Sequence, residues 1–125
     1  MLFFSSLRRN LAHPAILVVL ALILVPTLFL PLGIDQSIFV RGGEVLFGKG
    51  KLYIDYLEIK PPLLFLFYGI GGTLFGNSDI SYRFFDFLWQ LLTIYSLLYC
   101  VQRLTQRKVT GIISAAVYAV LYSSM

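Results

Sequence analysis

The chain has 125 residues, of which 58% are apolar and 13% charged, with a net charge of +4. Its mean hydropathy is +0.84. Soluble domains average about 45–50% apolar and about 25% charged residues, so the composition excludes an ordinary soluble domain and fits an integral membrane chain. The basic balance does not signal nucleic acid: the lysines and arginines are scattered at the edges of apolar runs, where they suit lipid head groups or phosphates. Cys100 is the sole cysteine, so no intrachain disulfide forms.

The first apolar run spans 14–32 and follows Arg8, Arg9 and His13. It is longer than a signal-peptide core of about 7–15 residues and is expected to be a retained membrane helix. Pro14 fits its first turn, Pro26 predicts a kink, and Pro31 with Gly33 predicts its end. His13, the sole histidine, reads as a boundary residue.

A polar loop over 33–62 comes next. Its first half has the makings of an amphipathic helix lying at the membrane interface, with Asp35 as N-cap and Gly48 as stop. Gly42 and Gly43 argue against that helix, since a mid-helix glycine costs about 1 kcal/mol. The second half, through Tyr53 and Tyr56, reads as irregular. A second apolar segment over 63–76 is short for a crossing. Its Gly69, Gly71 and Gly72 predict close packing against another helix. Gly76 to Asp79 reads as a turn. A third segment over 84–101 is long enough to span, and a fourth occupies 109–125. The expected fold is therefore all-α and integral to the membrane, with three to four transmembrane helices plus the interfacial helix.

Orientation by charge is awkward. With Arg8 and Arg9 cytoplasmic, strict alternation places Arg41, Lys49, Lys51, Lys60, Arg103, Arg107 and Lys108 outside, against the positive-inside rule. Either the second segment does not cross, or the external cations bind an anion, or orientation is set elsewhere.

The residues with chemical potential gather in the polar loop. Asp35 is either an N-cap or an ionised carboxylate able to take a proton or ligate a divalent cation. Lys60, held out of the helix by Pro61 and Pro62, is either a point charge for a phosphate or a boundary lysine snorkelling to head groups. Tyr53 and Asp55 either line a polar site or solvate a loop. Arg83 and Asp86, spaced i,i+3, suggest an ion pair, although Arg83 at a helix end also suits an anion. No phosphate-binding glycine loop, no metal-spaced His/Cys set and no Ser/His/Asp set occurs.

The order of these pieces resembles a known family. A membrane helix is followed by Asp35, then Gly50-Lys51-Leu52-Tyr53-Ile54-Asp55, then Lys60-Pro61-Pro62-Leu63, then Leu74-Phe75-Gly76 and Arg83. That order is similar to the N-terminal part of GT-C membrane glycosyltransferases, nearest the dolichyl-phosphate-mannose protein mannosyltransferase-like family and the bacterial lipid A aminoarabinose transferases. The resemblance covers roughly residues 10 to 122. It implies a large multi-helix enzyme of the plasma (inner) membrane, with the 33–62 loop extracytoplasmic. The enzyme would move a sugar from a lipid-linked polyprenyl or dolichyl phosphate to an acceptor on that side. It also implies Asp35 as catalytic base or metal-assisting carboxylate. Lys60 and Arg83, with Tyr53 and Asp55, would then contact the substrate. The cofactor stays open: a divalent cation is one option, and Asp35 would be its ligand. Many relatives have a second acidic residue after the aspartate, where this chain has Gln36. Such enzymes are much longer, so the chain is expected to be a fragment, inactive by itself. The rival expectations are a small non-catalytic membrane subunit whose charged loop docks a partner, and a transporter fragment.

Overall fold

The structure, a computed structural model, describes residues 14–124. Arg8, Arg9 and His13, on which the orientation and the leading anchor depend, lie outside the described residues, as does Met125. Among the described residues the chain is all-α, with an isolated bridge at Leu52 and Tyr56 and no strand. The helices are α1 (Pro14–Leu24), α2 (Ile34–Phe47), α3 (Pro62–Phe75), α4 (Asp79–Thr105) and α5 (Lys108–Ser123). Of these, α4 alone is long and apolar enough to cross a membrane by itself; Pro14–Phe29 and Ile34–Phe47 pass the same test only when taken together as one broken span. At about 1.5 Å per residue, the 14 residues of α3 reach about 21 Å, short of a hydrocarbon core about 30 Å thick.

The described residues divide into two compact units, residues 14–28 with 87–124 and residues 29–86. In the first unit, α1 and α5 pack with the later part of α4 around Leu20, Leu24, Ile94, Leu98, Ala115 and Ala119, all buried. Ala115 and Ala119 stand one turn apart, and side chains that small let helices approach closely. Gly111 presses on α4: a Cβ there would lie 2.9 Å from the Leu98 carbonyl oxygen. The Tyr118 hydroxyl donates to Gln90 Oε1, which supplies a partner for a polar group in an otherwise apolar layer. The α4–α5 turn is tight, with Gln106 in the left-handed region at φ 56°.

The first apolar run is not a single kinked α-helix. It is α-helical to Leu24 and continues as a 3-10 helix over Val25–Phe29. Pro26 has no N–H to give an α-helical ladder, and the buried Thr27 hydroxyl donates to the Leu24 carbonyl at 2.7 Å, taking up an acceptor near the break.

The second unit holds α2, α3 and the start of α4. Asp35 is not the N-cap of α2. Gly33 has that place, and the Gln36 side chain accepts the Gly33 N–H at 3.1 Å, the backward half of a capping box. The helix ends at Gly48, with Lys49 rather than the glycine in the left-handed region at φ 71°. Pro62 opens α3, where its missing N–H costs nothing, and Gly76 closes it at φ 92°, its N–H on the Gly72 carbonyl. Capping from Ser78, whose hydroxyl accepts the Ser81 N–H at 3.3 Å, starts α4 five residues before the expected 84.

Gly42 and Gly43, which by propensity weaken a helix, sit inside α2 and are buried. They form the crossing with α3. A Cβ on Gly42 would lie 2.4 Å from the Phe65 ring, and one on Gly43 would lie 2.6 Å from the Gly69 nitrogen and 2.8 Å from the Phe65 carbonyl oxygen. Contact with backbone atoms cannot be relieved by rotating a side chain, so the helices would have to separate. Gly43→Ala is therefore expected to destabilise this unit by about 1–3 kcal/mol, the usual cost of overpacking. Thermal unfolding in detergent should show a lower midpoint than for Gly33→Ala, where the nearest atom to a new Cβ is 3.7 Å away.

Candidate functional site

Asp35 lies in the first turn of α2, where the helix dipole favours an anion. Lys60 lies 25 residues further on, just before Pro61. The fold brings the two together, with Lys60 Nζ 3.4 Å from Asp35 Oδ1. The Asp35 side chain is 71% exposed and that of Lys60 36%. An ion pair this open contributes about 0–1 kcal/mol, so the pairing is not what holds the loop in place.

The loop is held by other groups. The Lys51 N–H donates to Asp55 Oδ2 at 2.7 Å, and the Asp55 N–H donates to the Lys51 carbonyl at 2.9 Å, which closes a short turn. Tyr53 sits in this turn in the left-handed region, at φ 67°. Its N–H donates to the Tyr56 carbonyl at 3.0 Å, and its hydroxyl donates to the Lys60 carbonyl at 2.9 Å. The Tyr56 hydroxyl donates to the Ile38 carbonyl at 3.1 Å, tying the loop to α2. Both tyrosine rings pack on Phe65, with centroids 6.4 and 6.1 Å away, and Phe65 is fully buried. A rigid aromatic seat thus carries a polar strap, and Lys60 is at its end.

Lys60 Nζ also stands 5.8 Å from the centroid of the Phe39 ring, within cation–π range. Phe39 is one helical turn after Asp35 and shares its face of α2. That i,i+4 spacing is a signal present in the sequence, and Phe39 is not among the site residues expected from it. Tyr56, in the half of the loop expected to be irregular, is a strut of the site.

Arg83 approaches the same region by a different route. Its Nε donates to the Leu30 carbonyl at 3.1 Å, and its terminal nitrogen donates to the Pro31 carbonyl. The i,i+3 spacing suggested a bond to Asp86, but the contacts of this guanidinium go to the backbone segment leading into α2. That placement fixes the entry to Asp35. Asp86 is buried.

The donor set does not fit a divalent cation. No group of three or more His, Cys, Asp or Glu gathers among the described residues, and the charged neighbour of Asp35 is an ammonium. Gln36, where the resemblance leads to the expectation of a second acid, is used in capping. A carboxylate beside an ammonium over an aromatic floor can accept a proton at one end and hold an anionic oxygen at the other.

If the Tyr53 hydroxyl positions Lys60, then Tyr53→Phe should remove about 0.5–1.5 kcal/mol of loop stability. Hydrogen exchange of residues 51–60 should quicken while that of α4 and α5 stays unchanged.

A family model described as dolichyl-phosphate-mannose-protein mannosyltransferase matches residues 59–125, slightly more than half of the chain, and includes Lys60 and Arg83. Comparison with curated proteins and with solved structures gave no match.

Proposed function

The chain belongs to the dolichyl-phosphate-mannose-protein mannosyltransferase family, and from that premise we propose that it is the N-terminal part of a membrane glycosyltransferase. The enzyme would take a sugar from a polyprenyl or dolichyl phosphate and pass it to an extracytoplasmic acceptor. The observation that carries the reading is the 3.4 Å approach of Lys60 Nζ to Asp35 Oδ1. Two residues far apart in sequence, each suited to one half of the reaction, meet at an open site.

In this reading the donor phosphate takes the Lys60 ammonium from Asp35 and so frees the carboxylate. The acceptor hydroxyl then attacks the anomeric carbon, its proton passes to Asp35, and the bond between that carbon and the phosphate oxygen breaks. The lipid phosphate leaves with the bonding electrons, and Lys60 stabilises its growing charge. Tyr53 and Asp55 act by shaping the strap that presents Lys60. Arg83 acts by holding the Leu30–Pro31 backbone ahead of Asp35.

The membrane arrangement belongs to the same proposal. The chain would be multi-pass in the plasma membrane, crossing over 14–32, 63–76, 84–101 and 109–125. The 33–62 loop would be extracytoplasmic, and α2 would lie at the interface. The test of sidedness is labelling of a cysteine placed at Lys49 in a Cys100→Ser background, in intact cells, with a membrane-impermeant thiol reagent. Labelling is expected; protection until the cells are lysed would put the loop inside and defeat the reading.

A further inference from the structure

Beyond the ion pair, the second unit contains a half-open cleft of about 400 Å³ at the other end of α2, between α3 and the start of α4. This volume is within the range of small-molecule sites, about 300–1,000 Å³. Glu44 and Phe47 border it from α2, Thr73 from α3, and Asn77 and Tyr82 from the turn and α4.

The lining selects its ligand by charge. Its one ionic group is the Glu44 carboxylate, which repels phosphate and other anions. That carboxylate is bridged to the exposed Arg41 at 2.9 Å, so a cationic ligand would compete with a guanidinium already in place. What remains is neutral hydrogen bonding. The Tyr82 hydroxyl donates to Asn77 Oδ1 at 3.1 Å, which leaves the amide NH2 as a donor. The Thr73 hydroxyl donates to the Ile70 carbonyl at 2.8 Å, which leaves its lone pairs as acceptors. Glu44 adds a strong acceptor, and the half-exposed Phe47 ring adds an apolar face. Gly72 keeps the polar pair in place: a Cβ there would lie 2.6 Å from Asn77 Oδ1 and 2.7 Å from the Tyr82 oxygen.

We infer that this cavity binds a neutral, hydroxyl-rich ring, a monosaccharide unit, separate from the Asp35–Lys60 pair. Glu44 is nine residues along α2 from Asp35, about 14 Å at the helical rise. A sugar still bonded to a phosphate on Lys60 cannot extend that far, so the ring held here belongs to a glycan reaching past the reacting bond, as a carbohydrate acceptor would. This last step rests on the function proposed above; the binding itself does not.

The test uses the chain in nanodiscs and methyl α-mannoside as probe, titrated by saturation-transfer NMR. Saturable binding is expected. Asn77→Ala and Thr73→Val should each raise the dissociation constant roughly three- to tenfold, the value of one neutral hydrogen bond. Asp35→Asn and Lys60→Gln should leave it unchanged, and neither inorganic phosphate nor choline should displace the sugar. Thr73 is exposed, so its variant is expected to fold even if Asn77→Ala does not. Absence of saturable binding, equal binding by both cavity variants, or displacement by phosphate would overturn the inference. Loss of mannoside binding in Lys60→Gln would move the sugar to the ion-pair site. The function of that site is judged separately, by lipid-phosphate binding, so the two ideas fail independently.

Discussion

Replacing Asp35 with Asn is expected to lower sugar transfer by the intact enzyme about 10²–10⁴-fold, the usual worth of a general base. The amide keeps the size and shape of the carboxylate but cannot take the acceptor's proton. Folding should survive, because α2 is capped through Gly33 and Gln36 and not through Asp35, and an exposed ion pair adds little stability. Membrane insertion and the thermal midpoint should therefore match the parent while turnover collapses. Asp35→Glu should retain part of the activity, since it keeps the base but displaces it by one methylene. Turnover within a few-fold of the parent for Asp35→Asn would remove this carboxylate from the chemistry.

Lys60→Gln is expected to act on the other half of the reaction. A hydrogen bond to a charged group is worth about 1.5–3 kcal/mol, which corresponds to roughly 10- to 150-fold in binding. The loss should appear first as a raised KM for the lipid phosphate, with a further fall in kcat because the leaving group loses its counter-charge. Lys60→Arg should keep charge but not geometry, because a planar fork does not replace a point charge over the Phe39 ring. The alternative role, a boundary lysine reaching for head groups, gives a different result: any cation would serve, so Lys60→Arg would be silent. Kinetics of the two variants, measured at several donor concentrations, separate these outcomes.

Much of the local geometry of the candidate site could be read from the chain because its pieces are locally marked. Lys60-Pro61-Pro62 announces a side chain held outside a starting helix, and α3 does start at Pro62. The glycines of α3 announced a close helix contact, and Gly69 meets Gly43 while Gly71 meets Phe85. Where local rules failed, a tertiary contact prevailed. The roughly 1 kcal/mol penalty of a mid-helix glycine argued against α2 at Gly42 and Gly43, yet both are there because α3 crosses at that point. Asp35 is a better N-cap type than Gly33, but Gln36 satisfies the Gly33 N–H instead, leaving the carboxylate in the first turn. Arg83 reaches carbonyls more than fifty residues away in sequence, and no spacing rule covers such a contact. The early start of α4 came from Ser78, whose capping role was masked by reading Gly76 to Asp79 as a turn.

The most direct test is the affinity of the chain for polyprenyl phosphate in nanodiscs, measured side by side for the parent, Asp35→Asn and Lys60→Gln. If the ammonium is shared between carboxylate and phosphate, removing the carboxylate's charge should leave binding as tight as in the parent or tighter. Removing the ammonium should weaken it roughly 10-fold or more. Parent-like affinity in Lys60→Gln, or an Asp35→Asn variant that binds as poorly as Lys60→Gln, would contradict a site in which Lys60 holds the phosphate and Asp35 waits for the proton.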